Sequence, residues 1–313
     1  MLQEIKINEI EGFCIGNAQD EEAKTGVTVV LCEQGAEGGV YISGGGPASR
    51  ETPLLHPLSA DHPVHAVVLS GGSAFGLAAA DGVMRFLEEQ GIGFPTGFAN
   101  VPLVLQSCIY DLGVGRADVR PGHAMGYAAC VDAKKNHPRW GQVGAGCGAT
   151  VGKLKGMEFC SPSGLGIYAV QMEDLQMGAV VAVNALGDVF DHRTGKKIAG
   201  LKKSDGTWED SVQALYRMKQ PAHLFTGNTT IGVVVTNGCF DRAQSNKIAV
   251  MATQAYARCI RPVGTEADGD SCYALSKGTV QADLNAAGML AADVMAEAIR
   301  RAVCSEERMV SYE

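Results

Sequence analysis

The chain has 313 residues, a formal net charge of -8, 46% hydrophobic residues and 19% charged residues. That balance specifies a folded globular protein rather than a disordered one, and with no basic cluster it excludes a nucleic-acid backbone as partner. No apolar run approaches the ~18 residues of a membrane span, and the start, MLQEIKINEIEGF, lacks a basic-then-apolar leader pattern, so no membrane partner is expected.

Glycine stands out at 40 residues, against about 7% in average usage. The glycines fall at the ends of apolar segments, which suits tight turns and close backbone approach in a fold built on sheets. Ten cysteines occur without a C-x-x-C pair. They read as buried free thiols in a reducing, cytoplasmic compartment, and their spacing does not suit a zinc site.

In chain order, Gly26–Cys32 and Gly39–Ser43 read as two strands of a hairpin, followed by the loop Gly44-Gly45-Gly46-Pro47 with Arg50 and Glu51 at its close. That loop is either a tight turn or a backbone-lined cradle. Val64–Leu69 is a buried strand, and a helix is expected from about Ala74 to Glu89 with Gly72 and Ser73 at its entry. Ser73 suits a helix N-cap. The nucleophile-elbow pattern G-x-S-x-G fails here because Phe75 holds the place of its second glycine.

An apolar segment ends at Tyr110, whose hydroxyl is either simply wet or a donor to a developing oxyanion. A small-residue helix is expected over 122–134. The Gly-dense loop 141–153 closes on Lys153, but Leu154 breaks the phosphate-loop spacing, so phosphate binding is not expected. Strands are expected over 166–171 and 178–186. Asn184 interrupts the second at a position that should be buried, as a structural knot or as an oxyanion donor.

The stretch 197–210 reads as a polar, exposed loop and 208–218 as a short helix ending before Pro221, together forming the approach to GNTTIGVVVTN. There, Asn228 is followed by Thr229 and Thr230 at the mouth of an apolar strand. Thr229 is either an ordinary strand starter or a nucleophile exposed when the chain cuts itself before it, with the new α-amine as its base. Asp241 caps a helix to about Cys259. The acidic turn around Asp268 and Asp270 precedes a strand over 271–275, and a last helix runs from about Asp283 to Arg301. No internal repeat or linker divides the chain.

Together, GVTVVLCEQGAEGGVYISGGGPASRETPLL, VHAVVLSGGSAFGLAAADGVMRFLEEQGIGFPT, VPLVLQSCIYDL, GQVGAGCGATVGK, GAVVAVNALGDV, GNTTIGVVVTN and ADGDSCYALSKG resemble the L-aminopeptidase/D-esterase family over nearly the whole chain. That family also holds β-peptidyl aminopeptidases and nylon-oligomer hydrolases. The resemblance implies a single-domain α/β (α+β) fold, a four-layer αββα sandwich made as one precursor. It implies self-cleavage between Asn228 and Thr229 into fragments 1–228 and 229–313.

The resemblance further implies a catalytic set of Thr229, Tyr110, Asn184, Lys153, Asp268 and Asp270, with Thr230, Gly72 and Ser73 near the substrate. Small amides or short peptides with a free amino end are the implied substrates, hydrolysed without a cofactor or metal by a homo-oligomer, a tetramer by resemblance. Two alternatives stand beside this: an acyltransferase like the ornithine acetyltransferases, and an uncut binding or scaffold protein. The chain departs from the family in lacking a histidine in its segment Gly12–Asn17.

Overall fold

The computed structural model describes residues 2–60, 62–218 and 227–304. Ten strands form its main sheet system: β1 (Leu2–Glu4), β2 (Cys14–Asp20), β3 (Thr25–Ile42), β4 (Ala48–Arg50), β5 (Val64–Ser70), β6 (Val104–Cys108), β7 (Leu165–Met172), β8 (Leu175–Asn184), β9 (Thr229–Gly238) and β10 (Ser271–Val280). The helices are α1 (Ala79–Glu89), α2 (His123–Ala133), α3 (Ser211–Tyr216), α4 (Arg242–Ala252), α5 (Gln254–Cys259) and α6 (Leu284–Val303).

The strand order is β1-β7-β8-β9-β10-β3-β5-β6-β4, with β2 on the free side of the first half of β3. Strand β3 therefore serves two sheets. Its first half pairs with β2 and β5, and its second half pairs with β10. The hairpin expected here is one long strand. Its pairing shifts between Leu31 and Ala36, with Gly35 at φ 79°, so the glycine gives a bulge and a change of partner instead of a reversal.

Side-chain alternation along the strands builds the layers. Ile167, Val180, Ala182, Ile231, Val233 and Tyr273 from one sheet meet Val30, Val67, Leu69 and Leu105 from the other. The opposite face of the first sheet packs Val181, Val234 and Cys272 against Ile248, Val294 and Met295 of α4 and α6. The outer face of the second packs Val29, Ala66 and Val68 against α1 and α2 through Val83, Leu87 and Ala129. The result is the expected αββα layering, with the two sheets linked through β3.

Four further expectations change. The helix after Ser70 begins as a 3-10 turn, Ser73–Ala78, and becomes α-helical only at Ala79. Ser73 makes no capping bond, because Gly72 and Ser73 both take positive φ (81° and 54°) while Asp111 Oδ1 holds Gly72 N–H at 2.7 Å. The helix from Asp241, which has the expected cap closed by Gln244, breaks at Thr253 into α4 and α5.

The 197–210 stretch is only partly a loop. Lys197–Ala199 is a strand, and buried Asp188 accepts bonds from Lys197 Nζ (2.8 Å), Leu201 N (2.8 Å) and Ser211 Oγ (2.7 Å). The helix expected over 208–218 is α3, and Pro221 lies outside the described residues. Among the described residues, no helix is long and apolar enough to cross a membrane.

Because the inter-sheet layer is a cluster of buried apolar side chains, a cavity there stays empty. Ile167 is fully buried in it. Ile167→Ala should cost about 2–5 kcal/mol, read as a lowered urea midpoint with an unchanged slope.

Candidate active site

Topology gathers the candidate residues at one end of the sheets. Strands β9 and β10 are parallel, so both start at this end, and β8 runs antiparallel to β9, so it finishes here. Asn184 closes β8 and lies directly opposite Thr229, the first residue of β9. Asp270 immediately precedes β10, and Tyr110 follows the end of β6. By strand alternation Thr229 shares its face with Ile231 and Val233, so its side chain sits at the mouth of the inter-sheet layer.

Asn184 has no exposed surface, and its side chain is fully engaged. Its Oδ1 accepts from Lys153 Nζ at 2.8 Å and from Thr150 N–H at 3.1 Å. Its Nδ2 donates to the carbonyls of Tyr110 (2.9 Å) and Gly227 (3.0 Å). Lys153 Nζ also donates to Asn184 O at 2.9 Å and to Gly227 O at 3.3 Å. The carbonyl two residues before Thr229 is thus gripped by both side chains. Tyr110 packs its ring beside Gly227 so closely that a Cβ there would lie 1.8 Å from the Tyr110 Cβ.

The Thr229 hydroxyl donates to the carbonyl oxygen of its own peptide bond, that of Asn228. The same oxygen accepts the Gly269 N–H at 2.8 Å. A Cβ on Gly269 would stand 2.9 Å from Thr229 Oγ1, so only glycine brings this N–H in without crowding the hydroxyl. The neighbouring carboxylates are held by backbone donors. Asp270 accepts from Thr230 N (2.6 Å) and Gly264 N (3.0 Å), and Asp268 accepts from Thr265 N (2.8 Å) and Thr265 Oγ1 (2.7 Å).

The Gly44-Gly45-Gly46 loop is a clamp on this acidic turn. Gly44 N–H donates to Asp270 O at 3.2 Å and Gly46 N–H to Asp268 O at 2.9 Å. Arg50, at the loop's far side, pairs with Asp81 at 2.6 Å.

Burial sets the charges. It lowers the Lys153 ammonium to about 7, against the partial support of nearby acidic groups including Asp268. Burial also raises Asp270, and the adjacent Asp268 carboxylate raises it further. Asp268 is itself raised by burial. The Lys153 amine and the Asp270 carboxyl, both moved to about 7, thus sit where small changes move protons near neutrality.

The structure brings Thr229, Asn228, Asn184, Lys153, Tyr110, Asp268 and Asp270 together. It does not bring in the Thr230 side chain, Gly72 or Ser73; Thr230 takes part through its N–H on Asp270 alone. Thr230 is fully buried and alternates onto the face opposite Thr229. Gly72 and Ser73 belong to a cluster around buried Asp111, which also accepts from Thr25 Oγ1 at 2.6 Å. Sequence reasoning missed Thr150 and Gly269. Both act through backbone N–H groups, which no side-chain pattern announces.

The sequence profile described as peptidase family S58 matches residues 6–313. The chain belongs to peptidase family S58. It is 39% identical over 304 residues to an uncharacterized aminopeptidase of Mycobacterium leprae, covering 90% of this chain and 80% of that protein. It is 30% identical over 311 residues to a 6-aminohexanoate-oligomer endohydrolase of Kocuria sp., covering 94% and 84%. Its fold is similar to that of L-aminopeptidase D-Ala-esterase/amidase from Ochrobactrum anthropi, described as a variant of the Ntn hydrolase fold. That likeness has a TM-score of 0.67 at 17% identity and covers 94% of this chain and 84% of the other. Family S58 membership makes this chain an enzyme of the peptidase and amidohydrolase class.

The acidic pair has a signed consequence. In Asp268→Asn, removal of the neighbouring negative charge should lower the pH at which Asp270 titrates, followed by carboxyl carbon NMR. Asp270 is raised in the folded state, so the stability it contributes is complete below about 3.9 and is lost as pH rises through the folded value. That loss should begin at the same pH but end at a lower pH in the variant, so its total size should shrink.

Proposed function

We propose that this S58 enzyme is made as a precursor that cuts itself between Asn228 and Thr229, and then hydrolyses small amides or short peptides bearing a free amino end. The observation that carries the reading is the Thr229 hydroxyl lying against the carbonyl of its own preceding residue, with the Gly269 N–H on the same oxygen. In the cut, Thr229 Oγ1 bonds to the Asn228 carbonyl carbon, and the Asn228–Thr229 C–N bond breaks. The hydroxyl proton ends on the released α-amine. Water then cleaves the resulting ester, leaving Asn228 as a carboxylate. As negative charge develops on the Asn228 oxygen, the fixed Gly269 N–H stabilises it without reorganisation.

The freed α-amine, with a reference pKa near 7.7–8.0, serves as general base for Thr229 in the second reaction. Thr229 attacks the substrate carbonyl, the substrate amine leaves with a proton, and water releases the acyl group. Asn184 and Lys153 grip Gly227 O in the uncut chain. Departure of that carbonyl frees one donor on each for substrate, while Tyr110 lines the space Gly227 vacates. Asp268 and Asp270 provide the negative charge that attracts an ammonium group, either the substrate's or that of Thr229. The substrate class is taken from the names of the aminopeptidase and oligomer-hydrolase relatives. The reading also includes a single domain that stays assembled after cleavage and works as a homo-oligomer in the cytoplasm.

Intact mass under denaturing conditions tests it. The wild-type chain should yield two fragments, the smaller beginning at Thr229, while Thr229→Ala stays whole; a wild-type chain that stays whole rejects the mechanism. Asn184→Ala should slow amide hydrolysis by about 10²–10³ in kcat if its amide serves the oxyanion, measured on a chromogenic aminoacyl anilide.

A further inference from the structure

A pocket of about 220 Å³ opens beside the candidate site, lined by Tyr110, Val114, Thr150, Lys153, Met157 and Gly227 among others. Its position relative to the Asn228–Thr229 bond gives it a direction. In the intact chain the acyl carbonyl of that bond belongs to Asn228, and Gly227 is the residue upstream of it. A pocket walled by Gly227 is therefore on the acyl side. The oxygen of the Asn228 carbonyl faces Gly269, whose N–H it accepts at 2.8 Å.

The walls differ in character. The floor carries Lys153, which is 5% exposed and engaged with Asn184 and Gly227. The rim carries two apolar side chains from separate loops, Val114 at 37% and Met157 at 42% exposure. Neither contributes to the core clusters around it. Neither touches the Thr229 hydroxyl or the Asn228 carbonyl in any bond described above. Gly113 and Gly156 precede them and have no side chains to narrow the pocket between.

We propose that this pocket receives the side chain or carbon chain of the substrate's acyl residue, and that Val114 and Met157 are the specificity-determining residues that set how large an apolar acyl group is accepted. The inference rests on the acyl-enzyme reading above. The substrate class is an amide whose acyl part is a small to medium apolar amino acid, since an unpaired charge against the Val114 and Met157 rim would lose hydration without gaining a partner. Selectivity follows from fit. A group that fills the apolar rim gains the transfer free energy of each buried methylene, and one that exceeds it must displace Val114 or Met157. The leaving amine does not enter the pocket and feels neither residue.

The test uses the full-length protein with Val114→Trp and Met157→Trp, each of which narrows the pocket from one wall. Both positions are partly exposed and lie on different loops, so the two substitutions serve as independent checks on each other. Aminoacyl 4-nitroanilides from glycyl through alanyl and leucyl to phenylalanyl probe the acyl side, and leucyl 4-nitroanilide against leucinamide probes the leaving side. The expected result is a fall on the order of tenfold or more in the kcat/KM ratio of leucyl over glycyl anilide in both variants, with the leaving-group ratio unmoved.

A processed, active enzyme whose acyl-size ratio is unchanged in both variants overturns the proposal, as does a change confined to the leaving-group ratio. Failure of the parent reading looks different: the wild-type chain shows neither Thr229 fragments nor hydrolysis of any anilide in the series, and the pocket assignment falls with it.

Discussion

The side chain of Asn184 is the knot on which this end of the molecule depends. A carboxamide has two donor hydrogens and an acceptor oxygen, and buried without partners it would cost about 1–3 kcal/mol. Here it joins the loop carrying Thr150 and Lys153, the segment carrying Tyr110, the chain at Gly227, and β8 itself. Opposite it across the ladder stands Thr229. One residue thereby fixes the mutual positions of four chain segments. An aspartate could not replace it, because it would have no hydrogens for the two carbonyls.

Around that knot, the electrostatics are balanced by burial rather than by close ion pairs. Lys153 finds carbonyl and amide oxygens as its bonded partners, and the acids near it are held by backbone N–H groups. An ammonium without a directly bonded carboxylate loses its charge readily when desolvated. A carboxylate crowded by another keeps its proton longer. The end of the sheets thus holds three groups whose protonation is set by packing, while surface pairs such as Arg85 with Glu89 contribute little beyond solubility.

The fold was largely legible because its strands carry apolar runs rich in β-branched residues, as in Val64–Ser70 and Thr229–Gly238, and its last helix has a clear apolar stripe and an Asp283 cap. The 25–42 segment was misread because Gly35 looks the same in a bulge as in a turn; what distinguishes them is whether β10 waits to pair with the second half. Ser73 was misread because a distant carboxylate, Asp111, dictates the backbone of Gly72. At the site, side chains with an evident chemical use stood out in the sequence. The Gly269 and Thr150 N–H groups did not, since every residue but proline has one and only the fold selects which are aimed.

Strand β9 is interior, bonded on one flank to β8 and on the other to β10. The residues from Thr229 onward supply two adjacent central strands and three helices. A break in the backbone just before Thr229 would therefore be a nick in a woven fabric, not a detachment. Every cross-strand bond of β9 would remain, and separating the pieces would mean tearing the sheet along two seams and opening the apolar layers on both of its faces. Each pair of fragments would stay wed for life, so two differently mutated precursors, mixed after maturation, would not trade halves.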